Sequence, residues 1–191
     1  MSSWPGQVSA RWGEPGDEGS PWRLLLRCEW DAERPRLAVV GLNPSTASPS
    51  AGPDPTCQRW LAMARRWGFG GLDVTNLYPL RATRAADLRA GRFCIAGHEA
   101  RIVGLFPPGG AELSREELQG AGLVLACWGR APGAPRVGEE APGLPLSKLA
   151  YLHATREGWP IHPLARLPGV RVSALSPLDW RTGRPLPGFA D

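Results

Sequence analysis

The distribution of apolar and polar positions divides the chain into short buried strands and helix-like stretches. Arg36–Gly41, RLAVVG, is an apolar run with β-branched residues, the pattern of a strand covered on both faces in a parallel sheet. It delivers the chain directly into Asn43–Pro44. Gly71–Tyr78 (GLDVTNLY) and Gly122–Gly129 (GLVLACWG) predict a second and a third buried strand, and Leu149–His153 a short fourth. Trp22–Trp30 also reads as a strand, placed near a sheet edge by its interrupting charges. A helix is expected after Asp54–Pro55–Thr56. Asp54 offers an N-cap acceptor, Pro55 suits the first helical position, Leu61, Ala64 and Arg65 fall within the helix, and Gly68 can close it. Residues 84–90, 95–106 and about 112–119 are expected to be helical, with Pro107–Pro108–Gly109–Gly110 as a hard break. The proline-rich stretch 131–145 reads as loop.

Strands alternating with helices predict an α/β fold, a three-layer sandwich around a central, mostly parallel four-stranded sheet with an added N-terminal edge strand. The single domain is expected over residues 22–175, between an irregular N-terminal arm, 1–21, and an irregular C-terminal tail, 176–191. In such sheets ligands bind outside the carboxyl ends of the strands. That rule brings Asn43 and Asn76 to one rim, with His162 arriving from a later turn.

Composition narrows the classes. A length of 191 residues fits one domain. No apolar run approaches the roughly 18 residues of a membrane span, and the first residues lack the features of a secretory signal. A soluble, cytoplasmic monomer with no membrane association is expected. The net charge of +4 suits an anionic partner such as nucleic acid, and with Lys148 as the only lysine it is carried by arginine. Cys28, Cys57, Cys94 and Cys127 are widely separated and contain no CxxC pair, so they read as thiols; no metal and no cofactor is expected. Neither GxGxxG nor GxxxxGK[ST] occurs, leaving dinucleotide and Walker-type nucleotide binding without a motif.

Five short motifs, NPSTA, DPT, NLYPLRAT, WG and G-x-P-x-HPL, closely resemble those of a bacterial and phage family known as domain of unknown function 1643. More distantly, four segments in order over residues 36–167 resemble the mismatch-specific branch of the uracil-DNA glycosylase superfamily. They are Val40–Pro44, like a strand ending in G-I-N-P-G; Gly71–Thr83; Val124–Gly129; and His162–Leu164, similar to a second catalytic H-P-S motif.

That resemblance implies a uracil-DNA glycosylase-like fold and removal of a deaminated or damaged base, uracil, hypoxanthine or xanthine, from DNA. By motif matching Asn43 would orient the attacking water and His162 would donate to a ring oxygen as charge accumulates there. Gly41, Leu42, Pro44, Asn76 and Tyr78 would form the base pocket, with Asn76 able to donate and accept at an imide-like edge. Ser45, Thr46, Arg81, Leu164 and Arg166 would contact phosphate or DNA. The chain departs from the glycosylase pattern at three points, one being that any wedge into the duplex would have to be Leu164, Arg166 or Leu167. Residues 45–53 hold no aromatic to stack on a base, a part Tyr78 or Trp60 would have to fill, and Leu164 replaces the serine of the second motif. A hydrolase or transferase of free nucleosides or nucleotides, and a binder of modified nucleotides that does not cut, are alternatives. Asn43–Pro44 is also a common way to close a strand with an Asx-type turn, and Asp54 reads first as a helix cap.

Overall fold

The computed structural model describes residues 3–13, 16–81, 116–131, 134–141 and 143–189. Within them β1 (Gln7–Trp12), β2 (Arg23–Glu29), β3 (Arg36–Gly41), β4 (Gly71–Asn76), β5 (Leu123–Ala126), β6 (Leu149–Tyr151) and β7 (Leu178–Asp179) hydrogen-bond into one sheet of order β1-β2-β4-β3-β5-β6-β7. The central β4-β3-β5-β6 block is parallel. β2 joins β4, β1 joins β2 and β7 joins β6, all antiparallel. The fold is therefore α/β with a mixed seven-stranded sheet, wider than the four-stranded one expected.

The unbroken apolar runs identify the parallel block, because strands covered on both faces have no solvent side to alternate with. Side chains at odd positions of β3, Leu37 and Val39, join a core with Leu72, Val74, Leu125 and the helix α1 (Pro55–Arg66). Ala38 and Val40, one position out of phase, join a second core with Val124, Ala126, Leu118, Trp128 and Trp180. α1 begins as its sequence predicts: the Asp54 carboxylate accepts from the Cys57 N–H at 2.8 Å and Pro55 occupies the first turn. It ends where Gly68 takes a positive φ of 77° and donates to Arg65 O at 3.1 Å. Trp60, Met63 and Ala64 are buried on its inner face.

Three expectations need correction. The arm 1–21 is not irregular throughout, since β1 lies inside it, with residues alternating between exposed and half-buried. β2 is consequently not the edge strand. Its charge is tolerated inside the sheet because the Arg27 guanidinium grips Asp73 with two hydrogen bonds, 2.7 and 2.9 Å long. Nor is the tail 176–191 merely slack, because β7 pairs with β6, Trp180 is fully buried, and Phe189 stacks on Phe69 with ring centroids 6.0 Å apart. The helices expected at 84–90 and 95–106 lie outside the described residues, while residues 116–120 are helical, at the end of the stretch expected over 112–119.

Asp73, only 2% exposed, anchors an ion network on the face of the sheet opposite α1. Besides Arg27 it binds Arg36 at 3.0 Å, and Glu117 bridges Arg27 to Arg11. Hydrogen bonds to Asp73 raise the Arg27 guanidinium further above its ordinary range, against the lowering effect of burial and with help from the charges of Asp73 and Glu117.

Candidate functional site

The last parallel pair between β3 and β4 is Gly41 opposite Asn76. The ladder continues past the strands, with Leu77 N–H donating to Gly41 O and Tyr78 N–H to Leu42 O, both at 2.9 Å. The two strand ends are therefore locked together where the apolar runs give out. Gly41 faces α1, and a Cβ there would stand 2.7 Å from Asn76 Oδ1 and 3.3 Å from Trp60 Cη2. Only glycine leaves room for the Asn76 carboxamide to lie across the end of β3.

Asn76 is 4% exposed, yet its Nδ2 has no hydrogen-bond partner. A buried amide donor left unmet costs about 1–3 kcal/mol. Trp60 stands between this amide and His162, whose ring it meets edge-on at a centroid distance of 6.5 Å. The Trp60 indole N–H is also unpartnered and neighbours the Cys127 thiol, which burial pushes up to about 12. Cys57 is pushed higher still by burial, so both thiols stay protonated at neutral pH.

The His162 turn is held by Gly129, just past β5, which donates to Pro160 O at 2.9 Å. Gly129 adopts φ +69° and lies beneath the His162 Cβ. Leu164 N–H donates to His162 Nδ1 at 3.2 Å, which makes Nδ1 an acceptor and leaves the proton of the neutral ring on Nε2. Burial lowers the His162 pKa, against the opposing pull of the Asp54 carboxylate, so the neutral ring is favoured.

Asn43 is half-buried, and its Nδ2 donates to Pro44 O at 2.9 Å, tying the donor end of the carboxamide to its own turn. Gly41, Asn76, Trp60 and His162 thus form a contiguous set on the α1 face, two residues before Asn43. Leu42, Leu77 and Tyr78 instead pack against the second core, on the other face. Alternation of side chains separates Leu42 from Gly41, and Tyr78, past the end of β4, packs with Leu42 against the second core. The aromatic beside the carboxamide is Trp60.

Pro44 is buried, Ser45 half-buried and Thr46 exposed. Arg81 is engaged, donating to Glu18 O at 2.8 Å and Ser20 O at 3.4 Å while its guanidinium lies 5.2 Å over the Trp12 ring. Leu164, 42% exposed, and Arg166 project from the surface beside His162.

Sequence reasoning missed Arg23, read only as a charge within a strand. The residue is 3% exposed, and Nη1 donates to Ala47 O at 2.5 Å, but Nε has no acceptor. Among the described residues no carboxylate lies within ion-pair distance of it. Burial lowers its pKa, while Cys57 and Asp54 act to raise it. The signal in the sequence was indirect: an arginine inside an otherwise apolar run, with its burial decided by a bulge that no local pattern marks.

Among the described residues no three His, Cys, Asp or Glu side chains converge to hold a metal. A hollow lined by Gln119, Gly143, Leu144 and Pro145 opens beside the amino ends of β5 and β6, at the opposite end of the sheet, and has no titratable side chain.

Comparison with known families gives a match over residues 23–164 to the family described as "Protein of unknown function (DUF1643)". It spans every strand of the parallel block, α1, Arg23, Asn43, Asn76 and His162. No curated protein matches the chain, and no solved structure does.

Proposed function

The chain belongs to that family of unknown function, and from the site itself we propose that it hydrolyses the N-glycosidic bond joining an altered base, uracil, hypoxanthine or xanthine, to its sugar. The observation that carries this reading is the Asn76 carboxamide, buried over Gly41 with Nδ2 unpartnered. A donor kept at that cost is explained by a ligand acceptor that arrives with the substrate. Each of the three bases offers a ring carbonyl oxygen to it, and a carboxamide can both donate and accept at an imide-like edge.

In the reaction a water oxygen forms a bond to C1′ as the bond from C1′ to the base nitrogen breaks. The electron pair leaves with the base, which takes up one proton, while the attacking water gives up one proton to solvent and keeps the other, remaining on the sugar as a hydroxyl. Asn43 serves by position. Its Oδ1 accepts from the water, while Nδ2 donates to Pro44 O and fixes the plane of the carboxamide. An amide is not a general base, so turnover relies on orientation and is slow. His162, neutral with its proton on Nε2, donates to a base oxygen as negative charge accumulates there. Gly41, Pro44 and Trp60 wall the base.

DNA is the carrier of the base that the motif resemblance favours, with Ser45, Thr46, Arg81, Leu164 and Arg166 near the strand and a net charge of +4 behind them. A second reading, the same bond in a free nucleotide, is favoured by the buried Arg23 and by the lack of an aromatic in residues 45–53. The test incubates the protein with single- and double-stranded oligonucleotides carrying each base, followed by alkali to cut abasic sites, and with the free nucleosides and nucleotides. Release of base that is lost in Asn43→Ala supports hydrolysis. Binding without release by wild type would leave a recognition module in its place.

A further inference from the structure

Arg23 has no part in the chemistry above, and its surroundings are those of an anion site. In β2, Leu25 pairs with Arg11 and Arg23 with Trp12, so Leu24 is the extra residue of a bulge. A bulge reverses which face the following side chain takes. Arg23 is thereby turned onto the α1 face with Leu26 and Cys28, where Ala47 receives its Nη1. Arg27, on the opposite face, meets Asp73 and Glu117.

The sheet also brings Arg23 next to the Asn76 end of β4. Thr75 Oγ1 donates to Leu24 O at 3.3 Å, and Arg23 N–H donates to Pro79 O at 2.9 Å. Arg81 N–H donates in turn to Pro21 O at 2.8 Å, placing a second arginine along the same rim. The groups that act electrostatically on Arg23 are Cys57, Asp54 and Arg81. Cys57 is a protonated thiol, and the Asp54 carboxylate caps α1 through Cys57 N–H at 2.8 Å instead of pairing with the guanidinium. The amino end of α1, with its partial positive charge, adds to the same field.

A buried guanidinium with no ion-pair partner among the described residues is costly, and its unmet Nε donor, beside the planar fork, suits a phosphate oxygen. At 3% exposure it is recessed, suiting a small terminal phosphate better than the backbone of a duplex. We propose that Arg23 is the phosphate anchor of the site and that the substrate is a free nucleoside monophosphate. The nucleoside half of this assignment rests on the base-hydrolase reading; the phosphate half does not.

Titration calorimetry at constant ionic strength, with inorganic phosphate, deoxyuridine and deoxyinosine 5′-monophosphates and the corresponding nucleosides, tests it on wild type, Arg23→Lys and Arg23→Met. Wild type is expected to bind at least one monophosphate about 10- to 100-fold more tightly than its nucleoside, the range of a charge-assisted contact. Inorganic phosphate should compete. Arg23→Met should erase the preference and Arg23→Lys retain part of it. Equal binding of nucleotide and nucleoside by wild type, or no binding of phosphate and nucleotides at all, overturns the proposal. So does an Arg23→Met protein, folded by circular dichroism, that keeps the preference; if that variant does not fold, full preference in Arg23→Lys overturns it instead. A uracil oligonucleotide that outcompetes the monophosphate with the same Arg23 dependence overturns the free-nucleotide assignment. The inorganic phosphate arm contains neither base nor glycosidic bond, so it reports on Arg23 even if no base is ever released.

Discussion

Replacing Asn76 by leucine separates a residue kept for a ligand from one kept for the fold. The two side chains share a branch point at Cγ and similar size, and Asn76 is 4% exposed with Nδ2 unpartnered. Removing the donor removes a penalty of about 1–3 kcal/mol, while the leucine must still fit against Gly41 and Trp60. The net expectation is a gain of about 1 kcal/mol, or a rise of about 2–4 °C in Tm for a domain of this size. Urea unfolding should show a higher midpoint with unchanged slope. Base binding and release should be lost in the same protein, the usual trade of stability against function. A variant less stable than wild type by more than about 1 kcal/mol, yet with base release intact, would refute the reasoning and make the carboxamide a structural group.

Further outcomes are expected from the same geometry. Gly41→Ala puts a methyl 2.7 Å from Asn76 Oδ1, so it should cost about 1–3 kcal/mol in urea unfolding and raise KM by displacing the carboxamide. Asp73→Asn leaves Arg27 and Arg36, each about a quarter exposed, without their shared carboxylate. A loss of about 2–3 kcal/mol is expected, the buried-pair cost reduced for partial solvation, and a neutral result would show the network to be dispensable. His162 should titrate by NMR below the ordinary histidine range, because burial depresses its pKa. Well above pH 6.5 neither state protonates it and its contribution to stability is constant. As pH falls below 6.5 the unfolded chain binds the proton first, so stability drops until the folded pKa is passed. A His162 that titrates above 6.5 would reverse that slope and contradict its burial.

Much of this was legible where local chemistry and tertiary role agree. The Asp54–Pro55 start of α1, the apolar runs of β3, β4 and β5, and the meeting of strand ends at Gly41 and Asn76 follow from capping, burial on both faces and parallel pairing. β1 was missed although Gln7, Ser9 and Arg11 alternate with the half-buried Val8, Ala10 and Trp12, because this short run lies amid glycine, proline and charge. The placement of β2 failed for a related reason. Charge in a strand signals an edge only when no partner neutralises it, and Arg27 finds Asp73 46 residues away. The site showed the same limit. Asn76 beside Gly41 is a register relation that two strand patterns can suggest, whereas Trp60 as the bridge to His162 depends on how α1 is rotated against the sheet. Arg23 depends on one extra residue in β2, which changes the face of a side chain without changing any sequence pattern.

The most direct test of the central reading is chromatographic detection of free base after incubating wild type and Asn43→Ala with deoxyuridine and deoxyinosine monophosphates and with oligonucleotides carrying uracil, hypoxanthine or xanthine. Release by wild type from at least one of these, abolished in an Asn43→Ala protein that still binds, is the expected result. No free base from any of them would contradict N-glycosidic hydrolysis at this site.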